Sequence, residues 1–394
     1  MNKRYCFVAL FLLSVKIPLA IATPNDNQSP GKSDTTPIAL ASHPIDTPIF
    51  TFGGFGSLGV SHSSQDLGDY VLDGTLPQGA GRSSYLSASN NSRIAAHVNA
   101  NFTPTVSAIL QVITEYHSDG TFTPEIEWAN VKYAFNPKAY VRVGRIALPT
   151  FLDSDSRDVG YTYTWVHPPV DLYRQLAIAG SDGVDGMYRF EIGEVENSVK
   201  ALYGRNTLDA PTSTTTSRNV WGVFDNLEYG QTTFHAGYQK RESSTQDLIT
   251  NQTGPWIANS DLSLGVIYDT GDWFVMSEWI QSRSTTKIDA MYISSGYRIN
   301  KFTPYATYSQ NSPGSFLPGF PAPTASDIQS ANRSQSTVSL GVRWDFRRDT
   351  AVKLQFDQVK LSDNSNGYLA NVPGNVFLYG SSFHVISAVV DFVF

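Results

Sequence analysis

The sequence has very little cysteine: Cys6 is the only one in 394 residues. It lies in an N-terminal stretch with the marks of a secretory leader. Lys3 and Arg4 are a basic start, Tyr5 to Val15 an apolar run of about eleven residues, and Ala20-Ile21-Ala22 a small-x-small cleavage site. Residues 1–22 are therefore expected to be a signal peptide, with a mature start near Thr23. Cys6 follows no lipobox of the Leu-Ala-Gly type, which argues against a lipoprotein. A mature chain without cysteine has no disulfide and no thiolate chemistry, even in an exported protein. Long hydrophobic runs are also missing. The leader is interrupted by Lys16 and Pro18, and no later run approaches the roughly 18 apolar residues of a membrane-spanning helix. Basic excess is absent too: the formal charge is −7, and loss of Lys3, Arg4 and Lys16 with the leader takes it to −10. That argues against a nucleic-acid partner.

Cofactor chemistry finds no foothold. The seven histidines are scattered without the paired spacing of a zinc site. No G-x-S-x-G elbow is present, and no Gly-rich phosphate loop opens a helix. "DSDSRD" (153–158) is similar to a calcium loop, but Arg157 stands at the third ligand position and the required glycine is missing. Neither a metal nor another cofactor is expected. A hydrolase that assembled a serine, an acid and His97 or His235 across strands would leave no trace in sequence spacing.

What the chain does have is a period of two. Residues 23–48 are rich in Pro, Ser, Thr, Asp and Asn, without periodicity, and read as a disordered periplasmic leader. From residue 49 onward one large domain alternates. In "RIAAHVNANF" (93–102), Ile94, Ala96, Val98, Ala100 and Phe102 fall on one face, with Arg93, His97, Asn99 and Asn101 on the other. "VSAILQVITEY" (106–116) and "VSLGVRWDFR" (338–347) behave alike. Successive strand side chains point to opposite faces, so each segment has one apolar and one polar face.

The connections alternate as well. Tight links fall at 102–104, 136–138, 193–196, 229–231, 269–272, 299–301 and 347–349. Between them come loops near 62–88, 118–123, 149–183, 206–217, 243–259, 313–333 and 363–380, plus a short link near Ser284. About sixteen strands result, more than a soluble sandwich carries. Segments of about ten residues suit a tilted strand crossing a bilayer. Short turns at one rim and long loops at the other describe a transmembrane antiparallel β-barrel of about 16 strands, residues 49–394. Closure pairs every backbone group, as lipid demands.

The last segment, "FHVISAVVDFVF", puts Ile386, Ala388, Val390, Phe392 and Phe394 on one face and stops on Phe394. It resembles the closing strand of Gram-negative outer-membrane proteins, in which a terminal aromatic is read by the barrel-assembly machinery. With the leader and the strand count, the chain resembles the porins, most closely the 16-stranded general type. The resemblance implies a passive channel for small hydrophilic solutes in the outer membrane, surrounded by its lipids, and a homotrimer. It leaves open a substrate-selective channel for sugars, aromatic acids or anions. A barrel-embedded hydrolase or an adhesive barrel are the readings from other classes.

One stretch breaks the alternation. "FLDSDSRDVGYTYTWVHPP" (151–169) follows the fifth strand, which makes 149–183 the third loop of the long-loop rim. In general porins the third loop folds into the lumen and sets acids opposite a basic wall. The resemblance therefore implies a constriction loop with Asp153, Asp155 and Asp158 as its acids, Arg157 and Arg174 as local partners, and Tyr161, Tyr163 and Trp165 as its aromatics. Strand parity turns Arg93, His97, Lys132 and Arg142 inward, and the resemblance implies that they form the facing basic wall. Glu115, Asp185, Arg189, Glu191, Lys200, Asp261, Glu278, Arg343, Lys353, Asp357 and Asp391 also point inward and would line the wall with water-facing charge. The Pro-Glu-Phe-Gly-Gly-type turn common in that loop is absent. Arg145 breaks the parity of its strand, which suggests a bulge or a link into the loop.

Overall fold

The computed structural model describes residues 49–176, 178–318, 332–374 and 376–394. The expected signal peptide and the leader at 23–48 lie outside the described residues. Sixteen long strands form one closed antiparallel sheet. They are β1 (Phe50–Ser63), β2 (Arg93–Asn101), β3 (Val106–Glu115), β4 (Glu125–Asn136), β5 (Ala139–Ala147) and β6 (Gly180–Ile192). Next come β7 (Val195–Ala210), β8 (Ser213–Tyr229), β9 (Thr232–Asp247), β10 (Ile257–Asp269) and β11 (Trp273–Arg283). The last are β12 (Thr286–Tyr297), β13 (Phe302–Asn311), β14 (Gln335–Arg347), β15 (Thr350–Leu361) and β16 (Ser382–Val393). Each pairs with its sequence neighbours, and β1 closes the ring on β16, with Phe55 opposite Val393 and Ser63 opposite Val385.

The alternation read from the sequence is the in–out alternation of this wall. Ile94, Leu110, Val131, Val143, Leu264, Leu340 and Ile386 are exposed on the outside, where lipid would cover them. The tight links are true hairpin turns. At two of them Asn300 and Asp349 adopt positive φ, 56° and 60°, a conformation that short polar side chains tolerate. The seam depends on two glycines: a Cβ at Gly54 or Gly56 would overlap the ring of Phe394 or Phe392. Phe394 completes the ladder through backbone bonds to Gly54 at 2.9 and 3.0 Å. The rings of Phe392 and Phe394 stack outside, with centroids 6.3 Å apart.

Three expectations are corrected. The presumed loop at 206–217 is a continuation of β7 and β8, joined only by Pro211 and Thr212, because its threonines pair as well outside the bilayer as apolar residues do within it. Much of 243–259 is likewise strand, since β9 runs to Asp247 and Gln252–Thr253 pairs onto it. Arg145 sits in regular register without a bulge and points outward, where Asp182 of β6 pairs with it at 2.8 Å.

Candidate functional site: the third loop and the wall around it

Residues 148–179 leave β5, run through the barrel interior and rejoin β6. At its root Leu148 N–H donates to Ala179 C=O at 2.9 Å. The Thr150 carbonyl meets His235 Nε2 of β9 at 3.0 Å, and its hydroxyl donates to Gln239 Oε1 at 3.1 Å. His235 Nδ1 lies 2.8 Å from Asn226 Oδ1 of β8, so the wall steadies the ring that meets the loop. Glu278 of β11 then takes three donors: Leu152 N–H at 2.9 Å, and the hydroxyls of Tyr173 and Tyr292 at 2.8 Å each.

The acidic stretch that follows folds into consecutive turns, with Ser156 N–H donating to Asp153 C=O and Val159 N–H to Ser156 C=O. Its two outer acids turn in opposite directions. Asp155 pairs with Lys200 of β7 at 3.1 Å, and Asp158 pairs with Arg93 of β2 at 2.7 Å. Arg93 is itself shared with Glu115 of β3 at 3.5 Å. Burial raises the affinity of both loop acids for a proton, but Lys200 and Arg142 outweigh it at Asp155, and Arg93 and Arg157 outweigh it at Asp158. Both carboxyls are held below their ordinary range. Asp153 has no such neighbour. Burial pushes it up to about 6, and one of its carboxylate oxygens has no hydrogen-bond partner.

Beyond the acids the loop becomes an aromatic slab pressed on the opposite wall. Trp165 Nε1 donates to Ser294 at 3.0 Å and Thr307 at 3.1 Å on β12 and β13, and its ring meets Tyr292 edge-on at 5.5 Å. Lys353 of β15 donates to the carbonyls of Gly160 at 2.6 Å and Trp165 at 2.8 Å while pairing with Asp391 at 2.8 Å. Gly160 is needed there, since a Cβ would overlap the Asp391 carboxylate. Arg343 of β14 donates to the carbonyls of Tyr161 and Tyr163. His167 faces Asp357 at 3.3 Å. Asp171 accepts from Ser309 and Gln335 at 2.6 Å each, and burial pushes it up to about 6. Phe151, Tyr163, Trp165, Leu172 and Tyr173 join wall residues such as Phe224, Ile280 and Tyr305 in one buried cluster.

The inward charges thus fall into two groups. Asp261, Glu278, Arg343, Lys353, Asp357 and Asp391, on β10 to β16, were expected to face water but are buried. Strand parity gives the face of each side chain but not what covers that face. On β2 to β7 the wall is more open: Arg93, His97, Glu115, Lys132, Arg189 and Lys200 all keep partial exposure. Lys132 rests on the Tyr140 ring at 4.6 Å. Asp185 and Arg142 are the exception on this side. They form a buried bidentate pair, so Arg142 belongs to the wall's framework rather than its open face.

Of the expected loop residues, Asp155, Arg157 and Asp158 are gathered on the side facing β2 to β7. Tyr163 and Trp165 are packed away as the slab. Tyr161 lies under the Arg343 guanidinium at 4.7 Å. Arg174 sits apart, stacked on Tyr368 and donating to the carbonyls of Val71 and Tyr368, which ties the third loop to the first and the last. Burial lowers its pKa to about 10. Lys200 was recognisable as an inward residue but not as a partner of the loop. The anchors Glu278 and Lys353 were visible only as inward charges.

Solved structures share this architecture. An anion-selective porin from Comamonas acidovorans aligns with TM-score 0.56 and 12% identity, over 88% of this chain and 99% of that one. A trimer form of OmpT, an outer membrane protein of Vibrio cholerae, aligns with TM-score 0.56 and 13% identity over 88% and 99%. OmpF of Salmonella typhi aligns with TM-score 0.54 and 10% identity over 88% and 97%. At such identities these matches establish the fold. No curated protein matches in sequence. A profile described as Gram-negative porin matches residues 35–364, most of the chain. The chain belongs to the Gram-negative porin family.

Proposed function

We propose that this outer-membrane diffusion channel passes small hydrophilic solutes through the gap between the loop segment 153–158 and the wall of β2 to β7. The observation that carries the reading is the span of the acidic segment. It reaches from Arg93 on β2 to Lys200 on β7 and is ion-paired at both ends. A loop fixed at two points narrows the lumen without blocking it. Lys132 and His97 of that wall and Arg157 of the loop keep partial exposure, so a permeating solute would meet charge of both signs along the gap. Such a site sorts solutes by size and charge and needs no energy source or cofactor. A preference for sugars, aromatic acids or anions is the alternative, and the half-buried Tyr140–Lys132 face is the feature that favours it.

The same reading includes a cleaved leader at 1–22, a periplasmic segment at 23–48, recognition of Phe392 and Phe394 by the assembly machinery, and a homotrimer. The test is the reversal potential in a salt gradient, together with single-channel conductance, for the wild type and for Asp153→Asn/Asp155→Asn/Asp158→Asn. A shift of the triple variant toward anions, with altered conductance, is expected. Identical values would remove the acids from the conduction path, and a folded wild type without ohmic conductance would overturn the channel reading itself.

A further inference from the structure

The outer wall is not uniform. Outward positions of β1, β2 and β3 carry no Lys, Arg, Asp or Glu. From β5 to β9, near the long-loop rim, outward charges line up across adjacent strands instead. Arg145, Asp182 and Arg205 lie in direct register on β5, β6 and β7. Arg218 of β8 and Glu242 of β9 continue the row, in register with each other.

Two devices shape this band. A bulge in β8 sets Arg218 and Asn219 against the single residue Arg205 of β7. Asn219 has a φ of 50° and accepts from the Tyr203 hydroxyl at 3.0 Å. The bulge turns Arg218 outward, onto the ring of Trp256 at 4.0 Å. Below the band, toward the bilayer centre, Tyr203, Trp221 and Tyr238 form an exposed aromatic shelf, with Trp221 and Tyr238 edge-to-face at 5.8 Å.

Cations outnumber anions here. Arg145 is neutralised by Asp182, and Arg218 by Glu242. Arg205 and Lys240 form no ion pair among the described residues and are both exposed. Aromatic residues mark the interface of a barrel with the membrane, and the longer loops lie on the extracellular side. The band therefore sits at headgroup depth of the outer leaflet, with unpaired positive charge over an apolar and aromatic wall. We propose that the outer face of β7 to β9, through Arg205, Arg218 and Lys240, docks a phosphorylated lipid headgroup of the outer leaflet, whose chains lie along Tyr203, Trp221 and Tyr238.

The test uses the full folded protein in detergent micelles and native mass spectrometry with bisphosphorylated lipid A as probe. Wild type retains the lipid, and Arg205→Gln/Arg218→Gln/Lys240→Gln binds it about tenfold or more weakly, since each cation near an anionic lipid surface contributes measurably. Conductance of the variant stays at the wild-type value, because these side chains lie outside the lumen. If the triple variant does not fold, Arg205→Gln/Lys240→Gln, which breaks no ion pair, is read in its place. The proposal is overturned by equal binding to the variant or by equal retention of the dephosphorylated glycolipid. Displacement by inorganic phosphate at concentrations comparable to the lipid would show a free-anion site and overturn it. So would a change of oligomeric state in the variant, which would show that a second copy covers this face.

Discussion

The two halves of the inner wall carry similar residues but live in different surroundings. On β10 to β16, Glu278, Arg343, Lys353, Asp357 and Asp391 are enclosed by the aromatic part of the third loop and act as fasteners. On β2 to β7, Arg93, Lys132, Arg189 and Lys200 stay partly exposed. The difference lies in the loop, not in the strands. Its first third is charged and turns toward the open side. Its second two thirds are aromatic and make the opposite side a dry core. A charge that costs little beside water is expensive to isolate in such a core, so the two halves should respond differently to the same kind of substitution.

The largest effect is expected at Lys353. Lys353→Met takes the cation from Asp391, which keeps only the Ser57 hydroxyl at 2.5 Å, and removes a donor from two loop carbonyls. Loss of one partner of a buried pair costs about 3–5 kcal/mol. Urea unfolding of the reconstituted protein should show a large drop in midpoint. A drop as small as that of a surface variant would mean that the pair is wet.

Glu278→Ala comes next. It strands Leu152 N–H and two tyrosine hydroxyls, at a cost of roughly 3 kcal/mol. The slab should loosen at that point, with larger and noisier single-channel currents. Glu278→Gln, which still accepts from the tyrosines, should restore quiet currents. Unchanged currents in Glu278→Ala would show that the slab is held elsewhere.

The pH response is smaller. Asp153 and Asp171 are both pushed up to about 6 by burial, against roughly 3.9 for an unfolded aspartate. The folded state therefore holds its protons more tightly. The contribution is fully present below about pH 4 and is lost as pH rises through about 6. Unfolding midpoints followed from pH 4 to 8 should fall over that window, and Asp153→Asn/Asp171→Asn should flatten the fall. An equally steep fall in the double variant would assign it to other groups.

The smallest stability effect belongs to the open side. Asp155→Asn/Asp158→Asn breaks pairs that retain solvent access, so a change within about 1 kcal/mol is expected in the same unfolding assay. A cost as large as that of Lys353→Met would erase the distinction between the two halves.

The barrel itself was readable from the sequence. In β2 the alternation of Ile94, Ala96 and Val98 with Arg93, His97 and Asn99 gives both the strand and its faces, because the period of two is a local property. The same reading found the tight links and the third long loop, although 180–183, expected as loop, already pair with β5 as the start of β6. It failed where local pattern carries no information. The Thr-rich stretch at 213–216 looked like a loop because its polarity hides its strand propensity. Lys200 and Lys353 are both inward lysines on alternating strands. Only the path of an aperiodic loop decides that one meets Asp155 beside water and the other is sealed beneath Gly160 and Trp165.

Cysteine scanning tests the central claim most directly, because Cys6 is the sole native cysteine and lies within the expected leader. Single substitutions His97→Cys and Lys132→Cys on the open wall, and Ser294→Cys and Gln355→Cys under the slab, would be exposed to a small charged thiol reagent while current is recorded. The expected result is rapid modification with a stepwise fall in conductance at positions 97 and 132, and none at 294 and 355. Equal modification at all four would show that solute passes along the whole inner wall, and would contradict a lumen divided into an open side and a dry one.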